Sequence, residues 1–455
     1  MKVEHLRNGS DVASEAPAPS RLSSAIFLLL LIVPALGAVL FGAVDQITWA
    51  LFYLLWAAVV LLWVADAWQR GGFAINASVL LIPVAGLIVI GIIQLLPLPY
   101  VASIGPGETW FFELRLIVLF TFFAGYLTFI DSPARLDRVV NFVVIFGAGM
   151  AFYGILQRLG STEGIYGLRE TPQSIPFGPF VNQHHFAAFM EMTGGLTLGI
   201  LFGKKTPRDR RILLAVAAIV MGAAVAFTGS RGGLLSFGFV VLFVLLMRVL
   251  SRERHSETDG PMSRGLRRHI GAFVVAFAFL AIVFTLVLFL GGNDQLLRGT
   301  GAAAAGVEVS SGRFHFWPIA LKIFLEHPII GSGFDSFAVA FTQFDTWPGI
   351  FRVEQAHNDY LQTLSDSGIA GFACVAAFIV LLFKRGLRIV KESHDNRRYA
   401  AIGALAGCFG ILVHSFFDFP LRTYSNAFFF LLLAAIATVS IPEDHRRRRK
   451  PHHHH

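Results

Sequence analysis

A series of long apolar stretches most constrains what this 455-residue chain can fold into. A helix needs about 20 mostly apolar residues to cross a bilayer, because its backbone amides must bond within the segment where water is absent. Twelve stretches meet this requirement: 24–44, 47–68, 78–98, 111–131, 139–157, 184–203, 212–229, 232–250, 270–291, 368–383, 399–417 and 424–441. The sequence therefore predicts an all-α, polytopic membrane protein with about 12 transmembrane helices.

The composition excludes a water-soluble fold. Hydrophobic residues make up 55% of the chain, charged residues make up 15%, and the mean hydropathy is +0.65. These values are too apolar for a protein with a polar surface. The formal net charge of +8 could indicate a nucleic-acid partner, but the basic residues follow the membrane topology instead. We therefore expect membrane lipids, and no nucleic acid, around the protein.

The distribution of Lys and Arg predicts the orientation. These residues are retained on the cytoplasmic side during insertion. With the N-terminus inside, all but nine of the 37 Lys and Arg residues lie in inward segments. The exceptions are Arg115 in the fourth predicted span and eight outward residues: Arg158, Arg169, Arg231, Arg298, Arg313, Lys322, Arg352 and Arg422. We expect a membrane protein with both termini in the cytoplasm and the long segment at 292–367 outside.

The same topology divides the chain into three parts. Residues 1–23 are predicted to be a disordered cytoplasmic tail, and residues 442–455 a basic cytoplasmic tail that ends in the remnant of a purification tag. Residues 24–441 form the predicted membrane catalytic domain, with one large periplasmic loop at 292–367. Long loops in compact proteins are functional or disordered, and the amphipathic pattern at 317–325 favours an ordered loop.

Two outward arginines stand in settings typical of phosphate binding. Arg231 lies in a short glycine-rich hairpin between the seventh and eighth predicted spans, and Arg313 precedes the amphipathic segment of the large loop. An arginine at membrane depth normally faces a cavity or a partner, and its planar fork of donors matches phosphate oxygens. The alternatives are an interfacial arginine that snorkels towards the headgroups and a solvated loop arginine.

His357 is the candidate general base. It lies where the large loop returns to the membrane, at the start of a stretch that predicts a helix on or entering the interface. Histidine suits proton abstraction near neutral pH. A structural, hydrogen-bonding histidine is the alternative, but the position beside a basic and aromatic loop favours catalysis.

At this point the chain resembles the O-antigen ligase and O-antigen polymerase superfamily of bacterial envelope enzymes. The signature of that family is His, then Asn, Ser or Gln, nine residues, and a Gly followed closely by a small residue. It is matched by His357, Asn358, residues 359–367, Gly368 and Gly371. The segment 231–235 is similar to the family's Arg-x-x-x-Leu element, and Arg313 precedes Trp317 and the His327-Pro328 pair as in family members.

The resemblance implies a membrane glycosyltransferase C-like fold and an inverting transfer at the periplasmic face. His357 would act as the acceptor-side base, with Asn358 beside it in the substrate site, while Arg231 and Arg313 would bind the donor pyrophosphate. Arg422 is a third candidate for donor binding. The implied donor is a glycan on polyprenyl (undecaprenyl) pyrophosphate, and the implied acceptor is a lipid A-core hydroxyl or another glycan.

Other chemistries lack a pattern in this sequence. It contains no phosphate-binding glycine loop, no His-Glu-x-x-His or Cys-x-x-Cys pair and no Gly-x-Ser-x-Gly elbow. His184 and His185 are adjacent, so they do not share a helical face and are not expected to form a metal pair. Cys374 and Cys408 lie in apolar runs and are interpreted as packing residues. We expect neither a metal nor a cofactor.

Two further functions stay open at this stage. A flippase or exporter of lipid-linked sugars would also have many spans and cationic cavities, but it should bury charges along a path between both leaflets. The candidate residues here crowd at one face, which favours an enzyme. Ligase and polymerase differ only in the acceptor, and the sequence does not distinguish them.

Overall fold

The structure is a computed structural model that describes residues 20–99, 101–160, 164–171, 174–203, 206–253, 312–346 and 352–441. The predicted tails, the predicted span at 270–291 and the first part of the large loop lie almost entirely outside these residues. Within the described part the regular secondary structure is helical, apart from two isolated β-bridges in the loop that precedes residue 183.

Thirteen α-helices occur among the described residues. They are α1 Arg21–Val39, α2 Gln46–Arg70, α3 Leu81–Gln94, α4 Pro106–Phe129, α5 Pro133–Leu159, α6 Gln183–Leu201, α7 Arg208–Phe227, α8 Arg231–Glu253, α9 Arg313–Glu326, α10 Phe337–Phe341, α11 Asp359–Glu392, α12 Asp395–His414 and α13 Tyr424–Thr438. A 3₁₀ helix, Pro420–Arg422, joins α12 to α13. The chain is an all-helical, polytopic membrane protein, which confirms the predicted fold class.

Seven of these helices are long and apolar enough to cross a membrane: α1, α2, α4, α5, α7, α8 and α11. Helices α3 and α13 are apolar but shorter, at 14 and 15 residues. Helices α6 and α12 lie at the predicted spans 184–203 and 399–417 but are not among the seven. Because one predicted span also lies outside the described residues, the count of about 12 stays a prediction.

Local sequence explains where several helices begin. Ser132 precedes Pro133, and its hydroxyl accepts the amide of the third helical residue of α5. Asn182 caps α6 through the amide of His184, and Asn358 caps α11 through two amides. Such side chains satisfy backbone donors that the first helical turn leaves unpaired.

Helices α6 and α12 pack closely at the centre of the bundle. A Cβ added to Gly199 would lie 2.3 Å from the Cα of Gly403, and one added to Gly195 would lie 2.6 Å from the amide nitrogen of Gly407. The two backbones can approach only because these positions lack side chains, as small residues allow in membrane bundles. This packing brings the outward ends of α6 and α12 together.

Helix α11 is broken at Gly368, within the motif that carries the family resemblance. Gly368 has φ +61° and ψ −163°, a conformation that is essentially restricted to glycine. At the break, the amide of Ile369 donates to Pro328 O at 2.8 Å, and the amide of Ser332 donates to Ser365 O at 2.9 Å. The large loop is therefore attached to the membrane bundle by backbone hydrogen bonds at this break.

Gln94 at the end of α3 reinforces the same attachment. Its side-chain amide donates to Ile330 O at 2.7 Å and to Asp366 O at 2.8 Å, and its Oε1 accepts from the amide of Phe334 at 3.0 Å. One buried side chain thus joins α3, the loop and the break in α11.

We expect Gly368→Ala to lower the thermal unfolding temperature of the detergent-solubilised protein. A Cβ at this position would lie 2.4 Å from Ile329 C, and the backbone strain adds about 1–3 kcal/mol. Gly238→Ala on α8 is the control, because a Cβ there meets nothing within 4 Å. Equal unfolding temperatures for the two variants would contradict the proposed need for glycine at the break.

The described part of the large loop contains the predicted amphipathic helix. It begins earlier than expected, at Arg313, and ends at Glu326. Its buried side includes Phe316, Ile319 and Ile323, which pack with Phe337 and neighbouring apolar residues. The prediction of an ordered loop is confirmed for residues 312–346.

Candidate functional site

The site forms around the turn 415–422, which follows α12 and includes the 3₁₀ helix. The first residue of α11 docks on this turn, because the amide of Asp359 donates to Ser415 O at 2.9 Å and to Asp418 O at 3.3 Å. The Asp359 carboxylate also accepts from the Ser415 hydroxyl at 2.8 Å and from the amide of Leu421 at 3.3 Å. These bonds fix the returning end of the large loop against the bundle.

His357 lies just before α11 and is held by three neighbours. Its Nδ1 is 3.1 Å from Asp418 Oδ1, and its ring stacks on Phe316 and meets the edge of Phe419, with centroid distances of 5.9 and 4.9 Å. The backbone has φ +52°, which is uncommon for a residue with a side chain. The side chain is 32% exposed, so the ring is fixed on one edge and reachable on the other.

Asp418 is the buried partner of His357. Its side chain is only 2% exposed, and Oδ1 also accepts from the amide of Phe419 at 2.9 Å. Burial alone would raise the pKa of this carboxyl, but the hydrogen bond from His357 and the charges of nearby histidines hold the pKa well below its ordinary value. An ionised Asp418 can accept the Nδ1 proton of His357, an arrangement that would leave Nε2 available to accept a proton.

Arg231 begins α8, as the short predicted hairpin requires. Helix α7 ends at Phe227, and Gly229 has φ +69°, which allows the chain to reverse within three residues. Ser230 anchors the turn, since its hydroxyl accepts the amide of Gly233 at 3.0 Å and lies 2.8 Å from His184 Nδ1. The prediction that Arg231 lies at the ends of these two helices is confirmed.

Arg313 is the first residue of α9, and the charges of Asp418 and Arg231 act on its guanidinium. Burial and the positive charge of Arg231 lower the pKa of its guanidinium, while Asp418 raises it. Gly312 before it has φ +81°, and a Cβ there would lie 2.5 Å from the ring of Phe316. The fold thus brings Arg313 close to both Asp418 and Arg231, which come from distant parts of the chain.

Two tertiary contacts set the position of α9 relative to His357. Trp317 Nε1 donates to Ala356 O, the residue before the histidine, at 3.1 Å. His315 Nε2 is 2.8 Å from Asp345 Oδ1, which ties the start of α9 to the segment after α10. Arg313 and His357 are consequently held on neighbouring segments.

Arg422 occupies a different environment from the other candidates. It is paired with Asp366 at 2.7 Å and Asp335 at 3.2 Å, and its Nε lies 3.9 Å from Asp359. These carboxylates raise the pKa of the guanidinium against the opposing effect of burial. These ion pairs join the large loop, α11 and the 3₁₀ helix. The donor-binding role of Arg422 stays a prediction, and it requires that Arg422 exchange these carboxylates for phosphate oxygens.

Asn358 has a clear local task. Its Oδ1 accepts the amides of Tyr360 and Leu361 at 3.0 and 3.1 Å, and its Nδ2 donates to Phe416 O at 3.2 Å. This buried side chain caps α11 and joins it to the turn 415–422. Its predicted place in the substrate site remains untested, and the geometry supports positioning of His357.

Sequence reasoning missed several polar residues of the site. Asp418 lies four residues before Arg422 and is not among the candidates that the sequence predicts, although an aspartate at the end of an apolar span is itself a signal. His184 lies within electrostatic range of Asp418, Arg313 and His357. His414 Nδ1 is 2.8 Å from Glu191 Oε1, and this buried pair joins α12 to α6.

The two adjacent histidines point to different partners. His184 contacts Ser230, whereas His185 Nδ1 lies 2.5 Å from the hydroxyl of Thr423. Among the residues that the structure describes, no group of three or more His, Cys, Asp and Glu side chains is arranged to hold a metal ion.

The comparison with protein families matches the part of the chain that carries these motifs. Residues 216–376 match the family model described as O-antigen ligase, and the matched segment includes Arg231, Arg313 and His357. No curated protein matches the chain. Residues 216–376 thus match the O-antigen ligase family, in agreement with the resemblance that their motifs carry.

Proposed function

We propose that this protein is a membrane glycosyltransferase that moves a glycan from polyprenyl (undecaprenyl) pyrophosphate to a hydroxyl of a lipid A-core acceptor. The observation that carries the proposal is the His357–Asp418 pair, 3.1 Å apart, with Arg313 in the electrostatic field of Asp418 and Arg231 in that of Arg313. A base fixed by a buried anion beside two guanidinium groups matches proton abstraction coupled to departure of a pyrophosphate.

In the proposed reaction, His357 Nε2 takes the proton of the acceptor hydroxyl as its oxygen attacks the anomeric carbon. The bond from that carbon to the pyrophosphate oxygen breaks, and its electrons leave with the polyprenyl pyrophosphate. Attack opposite the leaving group inverts the anomeric configuration. The pyrophosphate is already a good leaving group, so the energy comes from the donor bond and no cofactor is needed.

The two arginines would stabilise the charge that grows on the leaving pyrophosphate. Interactions that strengthen in the transition state raise turnover, whereas equal binding of substrate and transition state does not. Arg231 approaches from the α7–α8 hairpin and Arg313 from the start of α9. Their origin in separate elements supports a clamp from two sides.

The membrane arrangement that accompanies this proposal follows the distribution of basic residues. We place the reaction at the periplasmic face of the bacterial inner membrane, with both termini in the cytoplasm and about 12 spans. The location of His357, Arg231 and Arg313 at helix ends on one side supports a site at the membrane surface.

Polymerisation of glycan repeats is the alternative within the same chemistry, and movement of a lipid-linked sugar across the membrane is a less favoured one. The test is purified protein in liposomes with a labelled polyprenyl-pyrophosphate glycan, offered either lipid A-core or a second copy of the donor. Labelled lipid A-core is the expected product. A ladder of glycan repeats would identify a polymerase, and transfer of the donor between leaflets without a new glycosidic bond would contradict the proposed enzyme.

We expect transfer to continue after exhaustive chelation with EDTA. The reason is that two arginines supply positive charge where the pyrophosphate leaves, a task that a divalent cation performs in other sites. Initial rates should be compared in chelated buffer with and without added magnesium. Loss of transfer on chelation, with recovery when magnesium is added back, would show that the arginines are not sufficient.

A further inference from the structure

A second cluster of aromatic and cationic side chains lies away from the reaction site, where α2, α4 and α13 meet. Arg115 on α4 is its central residue, nine positions after the helix begins at Pro106. The predicted span begins at residue 111, so at 1.5 Å per residue the Cα of Arg115 lies about 6 Å inside the apolar region. An arginine at such a depth in a membrane helix marks a functional site by default.

The contacts of Arg115 are aromatic rather than acidic. Its NH1 group donates to the hydroxyl of Tyr424 at 3.1 Å, and its Cζ lies 4.9 Å from the Tyr424 ring centroid and 5.3 Å from that of Trp49. No carboxylate lies within ion-pair distance in the described part of the chain. The carboxylate of Asp335 is paired with Arg422 at 3.2 Å, and its charge acts on Arg115 only from beyond ion-pair distance.

The same cluster contains more hydrogen-bond donors than acceptors. Nε of Arg115, the hydroxyl of Tyr53 and Nε1 of Trp56 are buried and make no hydrogen bond of good geometry, although Tyr53 and Arg115 lie close enough to interact with each other. Tyr53 lies beside Arg115 and Trp49, and Trp56 follows one turn further along α2. Buried polar groups are normally paired, so a set of orphaned donors around a cation indicates a missing anionic acceptor.

The surroundings of the cluster are open to lipid. Helix α1 packs against both α2 and α4, whereas few direct backbone contacts join α2 to α4. Leu51 and Leu54 on α2 and Trp110 and Phe111 on α4 are exposed on the outward half of these helices. Lipid can therefore contact both helices near the depth of Arg115.

We propose that Arg115, with the hydroxyls of Tyr53 and Tyr424, binds the phosphate of a lipid between α2 and α4. This site would be distinct from the transfer site, because Arg115 contacts Tyr424 and Trp49 and, in the described part of the chain, makes no contact with His357, Asp418, Arg231 or Arg313. The phosphate belongs either to a bulk anionic phospholipid or to a phosphorylated acceptor lipid. Both present the same chemistry to the arginine.

The test is native mass spectrometry of the full chain with phosphatidylglycerol, and with diacylglycerol as a reference that lacks phosphate. We expect Arg115→Gln to weaken phosphatidylglycerol binding by about tenfold or more, since it removes a charge-assisted contact. Tyr53→Phe, which removes only a hydroxyl and should fold normally, is expected to weaken binding by about threefold. Neither variant should change diacylglycerol binding.

Arg169→Gln is the matched control. Arg169 also lies over an aromatic ring, 4.8 Å from the Phe41 centroid, but it is paired with Asp45, so its loss should leave lipid binding unchanged. Competition with bisphosphorylated lipid A separates the two sources: displacement of phosphatidylglycerol assigns the site to the acceptor, and its absence assigns it to bulk phospholipid. Equal phosphatidylglycerol binding by wild type, Arg115→Gln and Tyr53→Phe would overturn the proposal. No glycan donor is present, so the result does not depend on transfer.

Discussion

Replacing His357 by alanine is expected to abolish measurable glycan transfer while the protein remains inserted and folded. The side chain is 32% exposed and contributes a ring to a small cluster, so its loss costs little packing. Its loss removes the proposed base, and a positioned general base contributes about 10²–10⁴-fold to rate. The measurement is the initial rate of transfer in liposomes, with unfolding temperature as the check on folding.

Asp418→Asn separates the role of the base from that of its partner. The substitution keeps the shape of the side chain but removes the charge that fixes the tautomer of His357 and stabilises its protonated ring. We expect a loss on the order of a hundredfold, expressed in turnover rather than in donor binding. Unchanged turnover would show that Asp418 only supports the turn 415–422.

His315→Ala is the matched control for the histidine variant. His315 also pairs with an aspartate in the large loop, at 2.8 Å from Asp345, but its partner is not the buried anion beside the arginines. We expect this variant to keep transfer within a few-fold of wild type. Wild-type transfer by His357→Ala would rule out the catalytic role of that residue.

The lysine variants of Arg231 and Arg313 are each expected to lose about a hundredfold in turnover although the charge is kept. A lysine ammonium is a point charge that cannot present the planar pair of donors with which arginine holds two phosphate oxygens. Losing one good charge-assisted contact of about 3 kcal/mol corresponds to that change in rate. Both kcat and kcat/KM should fall together, because the contact strengthens as the pyrophosphate leaves.

The double variant tests whether the two arginines act as one clamp. If both hold the same pyrophosphate, the combined loss should differ from the product of the single losses, as coupled neighbours do. Arg352→Lys is the control, since its side chain is 66% exposed in the same large loop and should leave transfer unchanged. Near wild-type turnover of both lysine variants, together with inactive glutamine variants, would favour simple charge attraction over a bidentate contact.

The sequence alone determined that the protein is all-helical and polytopic, whereas the membrane face that carries the site stays a prediction from the distribution of basic residues. Membrane helices are specified by local length and apolarity, so most of the described helices lie close to their predicted ranges. The same local logic located Arg231 at a helix end and α9 within the large loop, because a short hairpin and a period of 3.6 residues leave few alternatives.

Only the tertiary structure decided which side chains meet at that face. Asp418 became the partner of His357, and Arg422 was tied to three carboxylates, because the ends of α11 and α12 and the large loop converge there. The break at Gly368 also depends on a segment 40 residues earlier in the chain. The carbonyls of Pro328 and Ile329 accept the amides of Ile369 and Ala370, which the break leaves without helical partners. Such pairings depend on contacts between segments distant in sequence, and no local pattern of apolarity or spacing encodes them.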